Sequence, residues 1–257
     1  MSATTTPAGR LRALGRAELA LLGRNRGAMF TALLVPLALP FSVRPAVDQM
    51  DLKDEGLSVG AVMLTAAVGF SLLFAVYSSL VSAFVTRREE LVLKRLRTGE
   101  LGDPEILAGT ALPSVVLGLV QSVLLAVACA LLLDAGTPAM PQLFVLGLLF
   151  GLFLAAALAA LTASVTKTAE SAQVTALPVL FASMLGSGII IPLQLLPDRV
   201  ADVCRFLPFS PAIRLISGGW NGDLSGYDAL GAVLTALAWT VLAVFAVRRW
   251  FRWEPRR

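Results

Sequence analysis

The charged stretch RREELVLKRLRTGELGDPE, from Arg87 to Glu105, stands between two long apolar runs and decides how the chain folds. Its charges are five basic and five acidic residues: Arg87, Arg88, Lys94, Arg95 and Arg97, with Glu89, Glu90, Glu100, Asp103 and Glu105. A polar block this dense cannot lie in the hydrocarbon of a bilayer. We call it the island, and it predicts that the chain turns at a membrane surface here.

Helical geometry makes the island amphipathic. One face carries the charges Arg87, Glu90, Lys94 and Arg97, with Glu90 and Lys94 at a favourable i,i+4 spacing, and the other carries Val92, Leu93 and Leu96. Gly99 and Gly102 predict a stop, after which Asp103, Pro104 and Glu105 suit the N-cap and first turn of the next helix. The pattern favours a short surface helix between two membrane spans. A solvated loop that only fixes topology is the alternative.

The composition, 57% hydrophobic and 15% charged, is typical of a polytopic membrane protein. No interruption between the apolar runs is long enough for a nucleotide-binding or catalytic domain, which needs at least about fifty residues. Judged against about 20 apolar residues per crossing, six runs are candidate spans. They are residues 27–43, 57–85, 106–133, 141–165, 172–193 and 229–247. We therefore predict an all-α membrane protein that forms a single domain over residues 1–257.

The distribution of Lys and Arg predicts the orientation. With both termini inside, the cytoplasmic segments hold sixteen of the 21 basic residues, and the outer segments hold the rest. This asymmetry favours N-in and C-in, with the island (residues 87–105) in the cytoplasm. Residues 10–26 are basic and carry a leucine stripe, which suits an interfacial helix on the inner leaflet or, equally, a plain basic flank.

The second and fourth spans carry further patterns. Phe70, Phe74 and Tyr77 share one face of the second span, where they line a cavity or, more commonly for such a stripe, pack in the core. In the fourth span small residues recur at every fourth position: Gly147, Gly151, Ala155, Ala159 and Ala163. Such a seam lets membrane helices approach closely.

The fifth span ends in a stretch that disfavours a helix, because it contains Gly186, Gly188 and Pro192. Non-helical backbone at membrane depth is tolerated only where protein or water covers it, so we predict that this stretch lines something. The segment 194–226 alternates apolar and charged residues, which predicts two short helices that dip into the outer leaflet.

Several kinds of chemistry are disfavoured. The chain has no histidine and two cysteines, which argues against most metal sites and against His-dependent catalysis. No GxxxxGK[ST] loop occurs, which argues against binding of ATP by this chain in the P-loop manner. Glu89, Glu90 and Lys94 approximate the EExxxR motif of intramembrane proteases, but a lysine replaces the arginine and no histidine completes the site. The six spans hold no Asp, Glu, Lys or Arg to bind a coupling ion, which disfavours an ion-driven carrier.

Taken together, a basic N-terminal amphipathic stretch, six spans, a charged helix between spans two and three and a re-entrant segment between spans five and six resemble the permease subunits of type 2 ABC exporters. The best local match is RREELVLKRLRTGELGDPEILAG, although many members have a glycine-threonine pair where this chain has Leu91 and Val92.

The resemblance implies a homodimer or pseudo-dimer in the bacterial cytoplasmic membrane with two separately encoded ATPase subunits. Those subunits would use ATP and Mg, so the chain itself would bind no cofactor, have no enzyme activity and contact no nucleic acid. The island would be the coupling helix that receives the ATPase motion through Arg87, Glu89, Glu90, Val92, Leu93, Lys94, Leu96 and Arg97. Its apolar side chains Val92, Leu93 and Leu96 would enter a groove of the ATPase.

Family members tend to line the central path with spans two and five, which would place there Phe70, Phe74, Tyr77, Phe181 and Met184. Gly186, Gly188 and Pro192 would then form an outer gate. An apolar lining favours export of a hydrophobic or amphipathic substrate such as a drug, an antibiotic or a lipid, and thus a role in efflux or resistance. The alternative from another class is a membrane scaffold or channel-like subunit that assembles through its small-residue seam.

Overall fold

A computed structural model describes residues 58–99 and 101–254, together with Gly9, Ser42, Arg44, Pro45, Val47, Gln49 and Leu52. The predicted interfacial helix 10–26 and first span 27–43 lie outside the described residues, apart from Ser42. Every regular element in residues 58–99 and 101–254 is helical, which confirms the all-helical prediction for this part of the chain.

Eight helices follow one another in the described chain. They are α1 (Val59–Glu89), α2 (Val92–Arg97), α3 (Asp103–Leu132), α4 (Pro141–Val165), α5 (Ala172–Gly186), α6 (Asp198–Arg205), α7 (Ser210–Asn221) and α8 (Gly226–Trp250). Within α1, residues Ser71–Ser78 form a π-helical segment. Four of these helices, α1, α3, α4 and α8, are long and apolar enough to cross a membrane. Six spans and their orientation therefore stay a prediction.

The helix α5 is shorter than the predicted span 172–193. It ends at Gly186, and Gly188 adopts φ +80°, a left-handed conformation that a continuing helix cannot contain. Residues 187–192 are not helical, and a 3₁₀ turn follows at Leu193–Leu195. With 15 residues, α5 is shorter than each of the four other predicted spans that lie in the described part of the chain.

The helix α1 forms the centre of the molecule. Within its most apolar stretch 89% of the residues are buried, against 17% for α8. This contrast follows from the sequence, because α1 is apolar on every side and a helix of that kind packs among others.

The small-residue seam of α4 packs inside the chain. A side chain on Gly151 would place its Cβ 2.6 Å from Leu72 Cδ1 of α1, and one on Gly147 would lie 2.8 Å from the carbonyl oxygen of Ala212 in α7. Ala155 and Ala159 are fully buried. The seam thus serves close packing between helices of one chain and is not exposed for assembly with another.

The segment between α5 and α8 turns into the helical bundle and back. The Trp239 indole N–H donates to the Phe206 carbonyl at 2.9 Å, which places Phe206 beside the middle of the 25-residue α8. At the far end of α7, Trp220 Nε1 donates to the Ala135 carbonyl at 2.7 Å in the loop between α3 and α4. The helix α7 therefore runs from the depth of the α8 midpoint to the end of the bundle opposite the island.

Candidate functional site

The island is not one continuous helix. The helix α1 runs to Glu89, Leu91 adopts a left-handed conformation with φ 60°, and α2 covers only Val92–Arg97. The predicted single charged face is therefore interrupted, and Lys94 forms its ion pair with Glu254 at 2.7 Å instead of with Glu90. The helix that follows the island begins one residue earlier than predicted. Its N-cap is Gly102 instead of Asp103, and Glu105 accepts a hydrogen bond from the Gly102 N–H at 2.8 Å.

Arg88 fixes the island to the end of α4. Its side chain is 1% exposed and donates to the carbonyls of Ala163 at 2.7 Å and Thr166 at 2.6 Å. These carbonyls lie at the C-terminal end of α4, where backbone acceptors lack helical partners and the helix dipole favours a cation. Glu89 adds a contact on the same side, accepting from the N–H of Ala169 at 3.2 Å. From the sequence alone, Arg88 is only one of the charges of the island.

The apolar face of α2 points into this chain. Leu93 is fully buried, while Val92 and Leu96 are half-buried. Leu93 therefore has no free surface in the single chain with which to enter a groove on a partner. The expected contact of α2 with the ATPase stays a prediction. The exposed apolar residue of the island is Leu91, with 40% of its surface accessible.

The C-terminal residues 251–254 brace the island from one side. The Arg97 guanidinium lies 5.0 Å above the Trp253 ring and also contacts Asp103 at 3.0 Å. Phe251 packs edge-on against Trp253 and against Phe84 of α1, with ring centroids 5.0 Å and 6.0 Å apart. Together with Lys94–Glu254, these contacts tie α2 to the end of α8. The sequence pattern of the island alone does not indicate this contact.

The outward face of the island is polar with one apolar residue. Glu90, Leu91, Lys94, Arg95 and Arg97 are exposed. Arg87 is half-buried instead of fully exposed. The structure thus places the predicted charged residues on a surface that is held rigidly. The exposed apolar residue on this surface is Leu91, and not the leucines of α2 that were expected there.

The aromatic residues of α1 lie in the core. Phe70 and Tyr77 are 1% and 0% exposed, and the Tyr77 hydroxyl is 3.0 Å from Thr162 Oγ1 of α4. Phe74 is partly buried, with its ring centroid 6.2 Å from that of Phe70. Core packing, one of the two interpretations of this stripe, accounts for these positions within the single chain.

Phe181 and Met184 of α5 have different environments. Phe181 is 55% exposed and belongs to an exposed apolar stripe with Val174, Leu177 and Leu185. Met184 is half-buried against the core. Of the five residues expected to line a path, Phe181 therefore has the most open position.

Gly188 and Pro192 line a small polar cavity of about 210 Å³ at the end of the molecule opposite the island. Its wall includes the buried Ser187, the end of α1 away from the island, and Arg214 of α7. Burial lowers the pKa of Arg214, and the charge of Arg205 adds to that effect, while Asp228 at 3.6 Å opposes it. Gly186 lies just outside the cavity wall and faces Leu207, where an added Cβ would lie 2.3 Å from Leu207 Cδ1.

These features define a helical membrane protein whose charged surface element is held rigidly at one end of the bundle. The chain matches the ABC-2 type transporter family over residues 9–219, most of its length, and it therefore belongs to that family. Proteins of this family form the permease domain of ABC transporters, a membrane domain that lacks the nucleotide-binding domain. A comparison with curated proteins gave no match.

Proposed function

We propose that this chain is the permease subunit of an exporter that is driven by a separately encoded ABC ATPase. The partner would bind ATP and Mg, and the permease would work in a bacterial cytoplasmic membrane with both termini and the island inside. Membership in the ABC-2 type transporter family supports the class. The distribution of Lys and Arg supports the orientation.

The observation that carries the coupling role is the way the island is held. Arg88 binds it to the end of α4, Leu93 anchors it from behind, and Arg97 joins it to the C-terminal residues. A force on the exposed side would therefore move α1 and α4 instead of bending a flexible loop. The residues that present this face to the ATPase would be Leu91, Lys94 and Arg95, with Glu89, Glu90 and Arg97 at the margin.

The exposed stripe of α5 supports an apolar transport path. We place the path along Phe181, between two copies of the chain in a homodimer or pseudo-dimer, with Met184 beside it. Phe70, Phe74 and Tyr77 would support the path from the core. A lining of this kind suits a hydrophobic or amphipathic substrate such as a drug, an antibiotic or a lipid.

The non-helical stretch after α5 is our candidate for the outer gate. Gly188 has a positive φ, at which any residue with a side chain would be strained. Pro192 is buried and lines the same polar cavity. Replacing Gly188 with alanine should reduce export and leave ATPase binding unchanged. The same change at Gly231, which has no neighbour within 4 Å of an added Cβ, is the matched control. Equal export by the two variants would remove the gate assignment.

Two substitutions on the exposed side of the island test the coupling role. Burying a fully exposed leucine contributes about 1.5 to 3 kcal/mol, and 40% of the Leu91 surface is accessible. Leu91→Ala should therefore weaken the ATPase contact about three- to eightfold. Arg95→Glu should slow association and change its salt dependence, because exposed charges on a binding surface steer the encounter of the two proteins. The measurement is co-purification of the P-loop ATPase from the native host, together with export, at matched membrane levels.

Arg199→Glu is the control for the charge reversal, because Arg199 is exposed on α6 far from the island. It should leave ATPase binding unchanged. If Leu91→Ala and Arg95→Glu both keep the ATPase and export normally, the island is only a topogenic loop.

A further inference from the structure

An apolar cavity of about 530 Å³ lies beside the island, within the size range of small-molecule sites. Its walls come from the island ends of four helices and from the C-terminal residues. Representative lining residues are Phe84, Leu107, Phe153, Ala157, Val244 and Trp253. None of the pathway and gate residues described above lines it.

The cavity lies between helices that leave apolar surface uncovered in the single chain. Two of its walls belong to α3 and α8, whose most apolar stretches are only 33% and 17% buried inside the chain and so face lipid. Water would find few partners among alanine, leucine and phenylalanine side chains, and apolar cavities of this kind stay dry or take up apolar groups. A hydrocarbon chain entering from the adjacent leaflet fits both the lining and the position.

The charges at the mouth of the cavity favour an anion. Asp103 lines the mouth, but Arg97 neutralises it at 3.0 Å. Arg248 also lines the mouth and has no ion-pair or hydrogen-bond partner in the part of the chain that the structure describes. Arg249 and Arg252, its neighbours in the sequence, are exposed. The balance at this end of the cavity is therefore positive.

We propose that this cavity holds an acyl chain of an anionic phospholipid from the leaflet on the island side, with the lipid phosphate on Arg248. The apolar walls would hold the chain, and the cationic mouth would select the headgroup. The proposal rests on the membership of a membrane transporter family and does not require the ATPase contact or the transport path proposed above.

Trp253 provides the test, because its ring lines the cavity. The protein is reconstituted in vesicles that contain brominated phosphatidylglycerol or brominated phosphatidylcholine at equal mole fractions, and tryptophan quenching is measured. The difference between the unmodified chain and Trp253→Phe isolates the signal of Trp253 from the other tryptophans. We expect brominated phosphatidylglycerol to quench this signal more strongly than brominated phosphatidylcholine at each mole fraction. The anionic lipid should also reach half of its full quenching at a lower mole fraction.

Arg248→Gln should reduce the preference for the anionic lipid about fivefold, as expected for one basic residue at a lipid surface. Ala157→Phe should occupy part of the cavity and weaken the quenching of Trp253 by either lipid. Leu131→Phe is the matched control, because Leu131 is 76% exposed on the lipid-facing side of α3 away from the cavity. Mass spectrometry of lipids retained after purification gives a second measurement that does not depend on fluorescence.

Three outcomes would overturn the proposal. Equal quenching by both lipids would show a cavity that takes hydrocarbon without selecting the headgroup. An absence of quenching in the unmodified chain would show that protein, such as the N-terminal basic segment, fills the cavity. Displacement of the lipid signal by an exported amphiphile at low concentration would assign the cavity to the substrate.

Discussion

At the residue scale, Arg88 and Leu91 show what the sequence pattern could and could not predict. The charge density of the island predicted its place at the membrane surface. It could not predict that Arg88 turns inward, because that depends on carbonyls of α4 some 75 residues further along the chain. The left-handed conformation of Leu91 was likewise hidden, because such a backbone favours glycine and this position holds leucine.

Arg88 should contribute strongly to stability. Replacing it with methionine keeps much of the apolar contact but leaves two buried carbonyls without their donor, which should cost about 2 to 4 kcal/mol. The measurement is the midpoint of thermal unfolding in detergent. Arg95→Met, at an exposed position in α2, should change the midpoint little. Equal midpoints for the two variants would show that the contacts of Arg88 contribute nothing.

Leu91 should be a strained position. A left-handed conformation costs a residue with a side chain roughly 1 to 2 kcal/mol, and glycine loses about 0.5 to 1 kcal/mol in entropy on folding. Leu91→Gly should therefore raise the stability by up to about 1 kcal/mol. Arg95→Gly, inside α2 with ordinary helical backbone, should lower it by about 1 kcal/mol. Destabilisation of similar size in both variants would contradict the strain at Leu91.

At the scale of the elements, the sequence predicted most helices well and their partners less well. The bounds of α4 agree with the predicted span 141–165, because an apolar run closed by Pro141 at one end and polar residues at the other leaves little choice. The aromatic stripe of α1 and the small-residue seam of α4 were both visible. Which neighbour each one touches depends on tertiary packing, which one helix alone does not encode.

The contact of α7 with α4 should depend on Gly219. A Cβ at this position would lie 2.4 Å from the backbone nitrogen of Phe144, so the two helices must separate to accommodate it. Gly219→Ala should therefore lower the unfolding midpoint clearly. Gly231→Ala in α8, where the added Cβ meets nothing within 4 Å, should be neutral or stabilising. A harmless Gly219→Ala would show that α7 does not pack as described.

At the scale of the whole molecule, composition was sufficient to predict the class of protein. It was not sufficient to predict the partner, the copy number or the substrate. An excess of apolar residues with few charges predicted a helical membrane protein, and family membership agrees. The partner, the copy number and the substrate depend on surfaces outside a single chain. For that reason the number of spans and the orientation call for direct measurement.

The topology can be tested by cysteine labelling from outside intact cells. The native thiols are first removed as Cys129→Ala and Cys204→Ser, because Cys204 is partly accessible. A membrane-impermeant reagent should then modify Asp223→Cys, which is exposed near the start of α8, and spare Thr98→Cys in the island. Labelling of Thr98→Cys in sealed cells would reverse the orientation.

The central claim is that the exposed side of the island binds a separately encoded ATPase. The most direct measurement places a photo-crosslinking amino acid at Leu91 or at Arg95 in cells that contain the native partner. Leu131, exposed at the opposite end of α3, is the control position. We predict a crosslink from positions 91 and 95 to one P-loop ATPase, and none from position 131. If positions 91 and 95 crosslink only to lipid or to a second copy of this chain, the island does not contact the ATPase.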